Sequence, residues 1–177
     1  GPAALLEAIL DRSGYAAVRH VLTVSEARGY EPETSQARFR VFASAGLWFE
    51  PLENCVQQLQ RAREGSVQGG DLQSACLTYG TTIVWLLDCA PTLEICATET
   101  EAGLAFAART GNVNMTNRLM IHRQLVRALR GENEAPGRLT DDSFDEALHF
   151  VRLEGNPIAD SLSCIIRALA AAVLADT

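Results

Sequence analysis

The strongest constraint on the fold is a glycine that recurs at a fixed distance. Gly29, Gly70 and Gly111 each interrupt an apolar helical pattern, and they lie 41 residues apart. A fourth such glycine, Gly155, follows after 44 residues. Further breaks lie between these glycines, at residues 46–51, 90–91 and 131–136. The alternation of helix, break, helix and glycine break is typical of helical-hairpin repeats.

Composition supports the same interpretation. The chain has 177 residues, of which 47 % are hydrophobic, so it can bury a core. Leu and Ala dominate and β-branched runs are short, which favours helices. We therefore expect an all-α fold, a right-handed superhelical array of about four antiparallel hairpins. The net charge of −7 argues against a general nucleic-acid interface.

Residues Gly1-Pro2 are typical of a scar left by tag cleavage, so we expect a single domain over residues 3–177. We find no signal peptide and no unbroken apolar run of about 18–20 residues, and we expect a cytoplasmic protein without a membrane partner. The five cysteines include no C-x-x-C pair. We interpret them as reduced, buried thiols and not as zinc ligands.

Apolar spacing predicts where each helix lies. Ser13-Gly14 is expected to separate the first two helices, and Thr81–Leu87 has a strand as an alternative to a helix. The expected helices are 3–12, 15–27, 32–47, 52–65, 71–88, 92–109, 113–130, 143–154 and 157–175.

The same spacing predicts the core. The helix at 71–88 should be the most buried, with Trp85 in the core, and the helix at 92–109 should pack on two faces. The predicted core positions of the other helices are Val18, Val21, Leu22, Ala37, Val41, Ala45, Trp48, Cys55, Val56, Leu59, Ala62, Phe144, Ala147, Leu148 and Val151.

The helix at 113–130 carries the most distinctive charges. Arg118, Arg123, Arg127 and Arg130 flank an apolar stripe that contains His122. These residues, with Trp48, are our candidate surface for a partner or an anionic ligand. The alternatives are a solvated helix face for the arginines and core packing for His122 and Trp48.

No motif of an enzyme or a nucleotide site is present. Glu146 and His149 have an E-x-x-H spacing, but a di-iron bundle would need it twice. Ser143 and Glu146 have the spacing of a capping box. We therefore expect no catalytic residue, no metal and no cofactor in this chain.

The last helix is unusually apolar. We predict a stripe that is too wide for one neighbouring helix to cover, so that it contacts a next repeat or a second copy of the chain. The stripe consists of Ile158, Leu162, Ile165, Ile166, Leu169 and Val173.

Four stretches, taken in order, resemble a known family. They are Gly69 to Ala75 (GGDLQSA), Glu101 to Asn112 (EAGLAFAARTGN), His122 to Glu132 (HRQLVRALRGE) and Asp142 to Ala147 (DSFDEA). Over about residues 15–175 they resemble the tetratricopeptide-like helical region of large bacterial signalling proteins. In that family the region follows an AAA-type ATPase and precedes a GAF sensor and a histidine kinase or GGDEF output domain, and many members begin with a serine/threonine kinase.

The resemblance implies a TPR-like fold and a non-catalytic module for protein–protein interaction and signal transduction. The partners would be neighbouring domains of the same chain, a signalling protein or a second copy. Because the period is 41 residues and not 34, a standard peptide-carboxylate clamp is not expected. Two alternatives are the inducer-binding repeat domain of an ATP-dependent transcription activator and a helical enzyme or cofactor bundle.

Overall fold

A computed structural model describes residues 12–133 and 137–174. Within these ranges every regular element is a helix, apart from one isolated bridge between Asp141 and Phe144. The prediction of an all-α fold is confirmed. The chain divides into two compact units, Gly1–Cys89 and Ala90–Thr177, and each is described by itself.

Over residues 12–89 the first unit contains four α-helices, and each of the later three packs against the one before it. Between the second and third, Val41–Ala45 form a π-helical turn and Gly46–Trp48 a 3₁₀ turn. The expected helix at 3–12 lies almost wholly outside the described residues. The four helices are α1 (Arg12–Ala27), α2 (Glu33–Arg40), α3 (Leu52–Gln68) and α4 (Leu72–Cys89).

The core of the first unit agrees with much of the predicted apolar pattern. The stripe of α3 is buried as expected, and Leu22 and Phe42 pack against it. Residues 81–87 are helical, so the strand alternative is wrong. Helix α4 buries seven of its 18 residues, which are Ala75, Cys76, Thr78, Gly80, Thr82, Ile83 and Leu86. The helix Val113–Leu129 buries eight of 17, so the prediction that 71–88 is the most buried helix is wrong.

Three predictions in the first unit are wrong. Helix α1 runs through Ser13-Gly14 without a break. Val21 is exposed, and only Leu22 of the predicted stripe is fully buried. Trp48 is 69 % exposed. The π-helical turn explains the last error, because it uses more residues per turn than an α-helix and shifts the following side chains out of α-helical register.

A close approach of α2 and α3 escaped the sequence analysis. A Cβ atom added at Gly65 would collide with the Ser35 Oγ and approach the Glu31 carboxylate. Any larger residue at position 65 would push the two helices apart. Gly65 therefore permits the close packing of two helices, whereas the glycines of the 41-residue series permit a backbone conformation with positive φ.

The second unit also contains four α-helices within its described part, residues 90–133 and 137–174. They are α5 (Leu93–Arg109), α6 (Val113–Leu129), α7 (Glu146–Arg152) and α8 (Pro157–Leu174). Helix α5 packs against α6, and α6 packs against α8. The prediction that α5 is buried on a second face is wrong for Ile95 and Ala102, which are exposed.

The recurring glycines end helices in the left-handed conformation. Gly70 has a φ of 78° and Gly111 a φ of 66°. After Gly70, the Asp71 N–H donates to the Ser66 carbonyl at 2.8 Å, while Gly70 N–H donates to Val67 at 3.1 Å. This pair of bonds is the Schellman motif, which satisfies carbonyls that the helix end would leave unpaired.

The same motif follows α1, α5 and α6. In each, the residue after the glycine donates to the carbonyl five positions earlier. The bonds are Tyr30 N–H to Ser25 O (3.3 Å), Asn112 N–H to Ala107 O (2.9 Å) and Glu132 N–H to Arg127 O (2.9 Å). Gly155 also has a positive φ, of 85°, but Asn156 N–H donates to Leu153 O instead, at 2.8 Å.

An Asp or Asn follows three of these glycines and begins the next helix. Its side-chain oxygen accepts a bond from the backbone N–H three residues on, which is the geometry of an N-cap. The bonds are Ser74 N–H to Asp71 (3.0 Å), Met115 N–H to Asn112 (3.0 Å) and Ala159 N–H to Asn156 (3.2 Å). One Gly-Asx pair thus ends one helix and starts the next.

We expect Gly70→Val to lower the free energy of unfolding by about 1 kcal/mol or more. The cause is backbone strain alone, because an added Cβ at Gly70 meets no atom within 4 Å. Chemical denaturation measures the loss. Gln57→Val, on the exposed face of α3, is the control and should cost about 0.5 kcal/mol or less. Equal losses in the two variants would contradict the assignment.

Candidate functional site

The candidate arginines lie on a helix that is buried over most of its surface. Helix α6 begins at the Asn112 cap and contains no acidic residue. Its buried residues occupy several faces, so the arginines must leave the core through the narrow space between neighbours. The buried residues of α6 are Met115, Leu119, Ile121, His122, Gln124, Leu125, Val126 and Ala128.

His122 belongs to this core. Its ring is 1 % exposed, and its Nδ1 lies 2.8 Å from the Arg118 carbonyl oxygen. The pKa of His122 is lowered to about 4, chiefly by burial and to a smaller extent by the Arg118 charge, while the bond to the Arg118 carbonyl opposes both. The imidazole is therefore neutral at pH 7. The hypothesis that His122 lines a ligand surface is wrong.

Arg123 and Arg127 line one hollow between α5 and α6. The hollow has a volume of about 410 Å³, and its floor includes Thr100 and Val126. Arg130 lies at its rim with Glu94, Glu101 and Glu132. The structure thus brings three of the four candidate arginines together, Arg123 and Arg127 on α6 and Arg130 directly after it, among carboxylates that were not connected with them from the sequence.

Two of these arginines already have carboxylate partners. The Arg127 Nε lies 3.1 Å from an Asp141 oxygen, and Arg130 pairs with Glu94 at 3.1 Å and Glu132 at 2.8 Å. Burial raises the pKa of Asp141, but the two hydrogen bonds from Ser143, the nearby Gln124 amide and the Arg127 charge outweigh it, so the pKa is lowered. Asp141 therefore stays ionised and holds Arg127.

Arg118 lies outside this hollow. Desolvation lowers the pKa of its guanidinium, and its buried Nε has no hydrogen-bond acceptor. Trp48, the remaining member of the predicted surface, belongs to the first unit, where its ring is exposed. Within the second unit, the predicted arginines and His122 therefore do not form one surface.

Helices α7 and α8 enclose a second polar cluster. His149 is 2 % exposed, and its Nε2 lies 3.4 Å from the Ser163 Oγ, which is also buried. Burial and, to a lesser extent, Arg152 lower the pKa of His149. Because both groups are shielded from solvent, a substrate cannot reach them.

The buried and exposed positions of α7 are the reverse of those predicted. His149 is the buried residue of this helix, whereas Leu148 and Val151 are exposed and Ala147 is open to solvent. The expected capping box is also wrong, because Asp145 caps the helix by accepting from Leu148 N–H at 3.0 Å. The helix begins two residues later than a Ser143 cap requires, which rotates its buried face.

Helix α8 separates the predicted apolar stripe into two faces. The inner face consists of Ala159, Ser163, Ile166 and Ala170, which are buried. Ile166 is 4 % exposed, so its assignment to the outer face is wrong. The outer face keeps the other predicted residues, of which Leu162 is half-buried and the rest are exposed: Ile158, Leu162, Ile165, Leu169 and Val173.

The same helix is long and apolar enough to cross a membrane by length and composition. The sequence analysis found no such segment because Asp160 and Arg167 interrupt the apolar run. Only 22 % of this segment is buried, and its inner face packs against α6.

The cysteines fit the predicted pattern only in part. Cys55, Cys76 and Cys96 are buried and Cys89 is half-buried, but Cys164 is exposed. Burial, followed by the Glu50 charge, raises the pKa of Cys55 to about 11, so that thiol is protonated at pH 7. Over residues 12–133 and 137–174, no group of three His, Cys, Asp or Glu side chains has a metal-binding arrangement.

Comparison with protein-family models, with curated proteins and with solved structures gives no match. The resemblance to the helical region of bacterial signalling proteins remains a prediction from the sequence.

We expect stability to fall as the pH decreases from 6.5 to about 4. In this window the unfolded His122 binds a proton and the folded one does not, so protonation favours unfolding. The lowered pKa of His122 corresponds to a loss of about 3 kcal/mol in the free energy of unfolding once the pH lies below the folded pKa. Denaturation across this range measures the slope. His122→Gln should reduce it, and His20→Gln, at an exposed position, should keep it; an unchanged slope in His122→Gln would contradict burial.

Proposed function

We propose that this chain is a non-catalytic helical-repeat module of a signalling protein, and that it acts by protein–protein interaction. The proposed arrangement of its hairpins is the right-handed, TPR-like array expected from the sequence. The repeated Gly-Asx turn supports a repeat origin, since hairpins with the same turn can stack in the same way. Transmission of a signal would occur through small shifts of packed helices when a partner docks.

The outer face of α8 carries this proposal. Ile158 is 78 % exposed and Ile165 is 64 % exposed, and such apolar groups are unfavourable in water. The five residues of the face follow at intervals of 4, 3, 4 and 4 residues, so they form one continuous stripe along the helix. Continuous exposed apolar patches mark sites of protein association.

The proposed occupant is a second copy of this chain. The face carries no charge, and the small residues Ser161, Ala168 and Ala172 lie along one side of it. Two such faces can meet about a two-fold axis, because an isologous interface needs only a self-complementary patch. Spacings of three and four residues are those at which two helices interdigitate.

We expect the 19.1 kDa chain to associate into a dimer, with a weight-average mass that falls on dilution. Ile165→Glu should shift it to the monomer, because the charge would be desolvated in the interface. Light scattering over a hundredfold dilution measures the mass.

Ser161→Glu introduces the same charge at an exposed polar position of α8 and is the matched control. Ile166→Glu is unsuitable, because Ile166 lies in the core and its variant would unfold. A monomer at every concentration, or a dimer that Ile165→Glu leaves intact, would contradict the proposed interface.

A further inference from the structure

The hollow between α5 and α6 has a charge pattern that the proposed dimer does not use. Residues 118–130 include four arginines, three on α6 and Arg130 directly after it, and no acidic residue, in a chain of net charge −7. Helix α5 faces the hollow with Glu94 and Glu101. Both signs of charge therefore lie around one cavity.

The hollow has room for one or two side chains of a partner. Its volume of about 410 Å³ exceeds that of a single residue, and its floor is neutral, with Ala97, Thr100 and Val126. A bound segment would meet this small, uncharged floor between rims of opposite charge. This favours an extended segment with short or apolar residues between its charges.

Within the described residues, two of the charges in this hollow have no ion pair. Arg127 and Arg130 are neutralised by the carboxylates described above. Among the described residues, Arg123 has no ion-pair partner and its buried Nε has no hydrogen-bond acceptor. Glu101, on the opposite rim, has no ion-pair partner among them either. A buried donor without an acceptor is unfavourable, so a carboxylate placed at Arg123 would relieve a deficit already present in the free protein.

We infer that this hollow binds a mixed-charge peptide segment of a partner protein, with a carboxylate side chain on Arg123 and a cationic side chain near Glu101. Arginine presents two parallel donors to a carboxylate, which fixes the orientation of the segment as well as its charge. The rim glutamates repel continuous anionic chains, so nucleic acid does not fit this site.

The test uses four pools of acetylated, amidated hexapeptides of Ala and Leu. Their members contain one Glu and one Lys, Glu alone, Lys alone, or neither. NMR follows the Arg123 Nε–Hε resonance, with Arg61 on the exposed face of α3 as an internal reference. We expect a saturable shift of Arg123 with the Glu/Lys pool, a weaker one with Glu alone, and none with the other two pools.

Arg123→Gln should weaken binding of the Glu/Lys pool at least tenfold, whereas Arg61→Gln should leave it unchanged. Glu101→Gln should abolish the advantage of the Glu/Lys pool over Glu alone. Several results would overturn the inference: no saturable shift at millimolar peptide, equal binding by the pool without charges, or saturation by inorganic phosphate alone. These results leave the α8 face untouched, so the two proposals fail separately.

Discussion

The structure depends on one small turn, in which a left-handed glycine is followed by a residue that caps the next helix. At Gly70-Asp71 and Gly111-Asn112 the backbone closes the preceding helix through the Schellman bonds, and the Asx side chain opens the following one. An L-residue with a side chain is strained at the first position, and an apolar residue at the second would leave an N–H unpaired. Both requirements act through local geometry, which explains why the pattern is visible in the sequence.

This turn also determines which interactions the helices can form. A connection this short places two helices of 17 or 18 residues side by side over their full length, as in α3 and α4 or in α5 and α6. Charged side chains between such helices have little space through which they can reach solvent. On α6 and the residue that follows it, this produces a neutral core histidine, two arginines with carboxylate partners and two, Arg118 and Arg123, with none in the described part of the chain. The proposed peptide site is thus a consequence of close hairpin packing.

The sequence predicted the positions of the helices better than it predicted which side of each helix is buried. The glycine turns and most helix bounds depend on local chemistry, and they were predicted within a few residues. The prediction that Trp48 is buried was wrong because a π-helical turn interrupts the α-helical register. The predicted buried face of α7 was wrong because the helix is capped by Asp145 and not by Ser143. The role of Gly65 was not predicted because it depends on the distance between α3 and α2. The candidate surface was found only in part, since the acidic rim comes from another helix.

The account's central claim is that the Gly-Asx turns hold the hairpins together, and native-state hydrogen exchange tests it most directly. The amides of Asp71 and Asn112 donate to carbonyls five residues earlier, although both residues lie outside a helix by sequence pattern. We predict that both exchange as slowly as amides in the middle of α3 and α6, whereas the amide of Leu72, which donates within the turn to Gly70, exchanges faster. Exchange of the Asp71 and Asn112 amides at the rate of an unprotected loop would contradict the account.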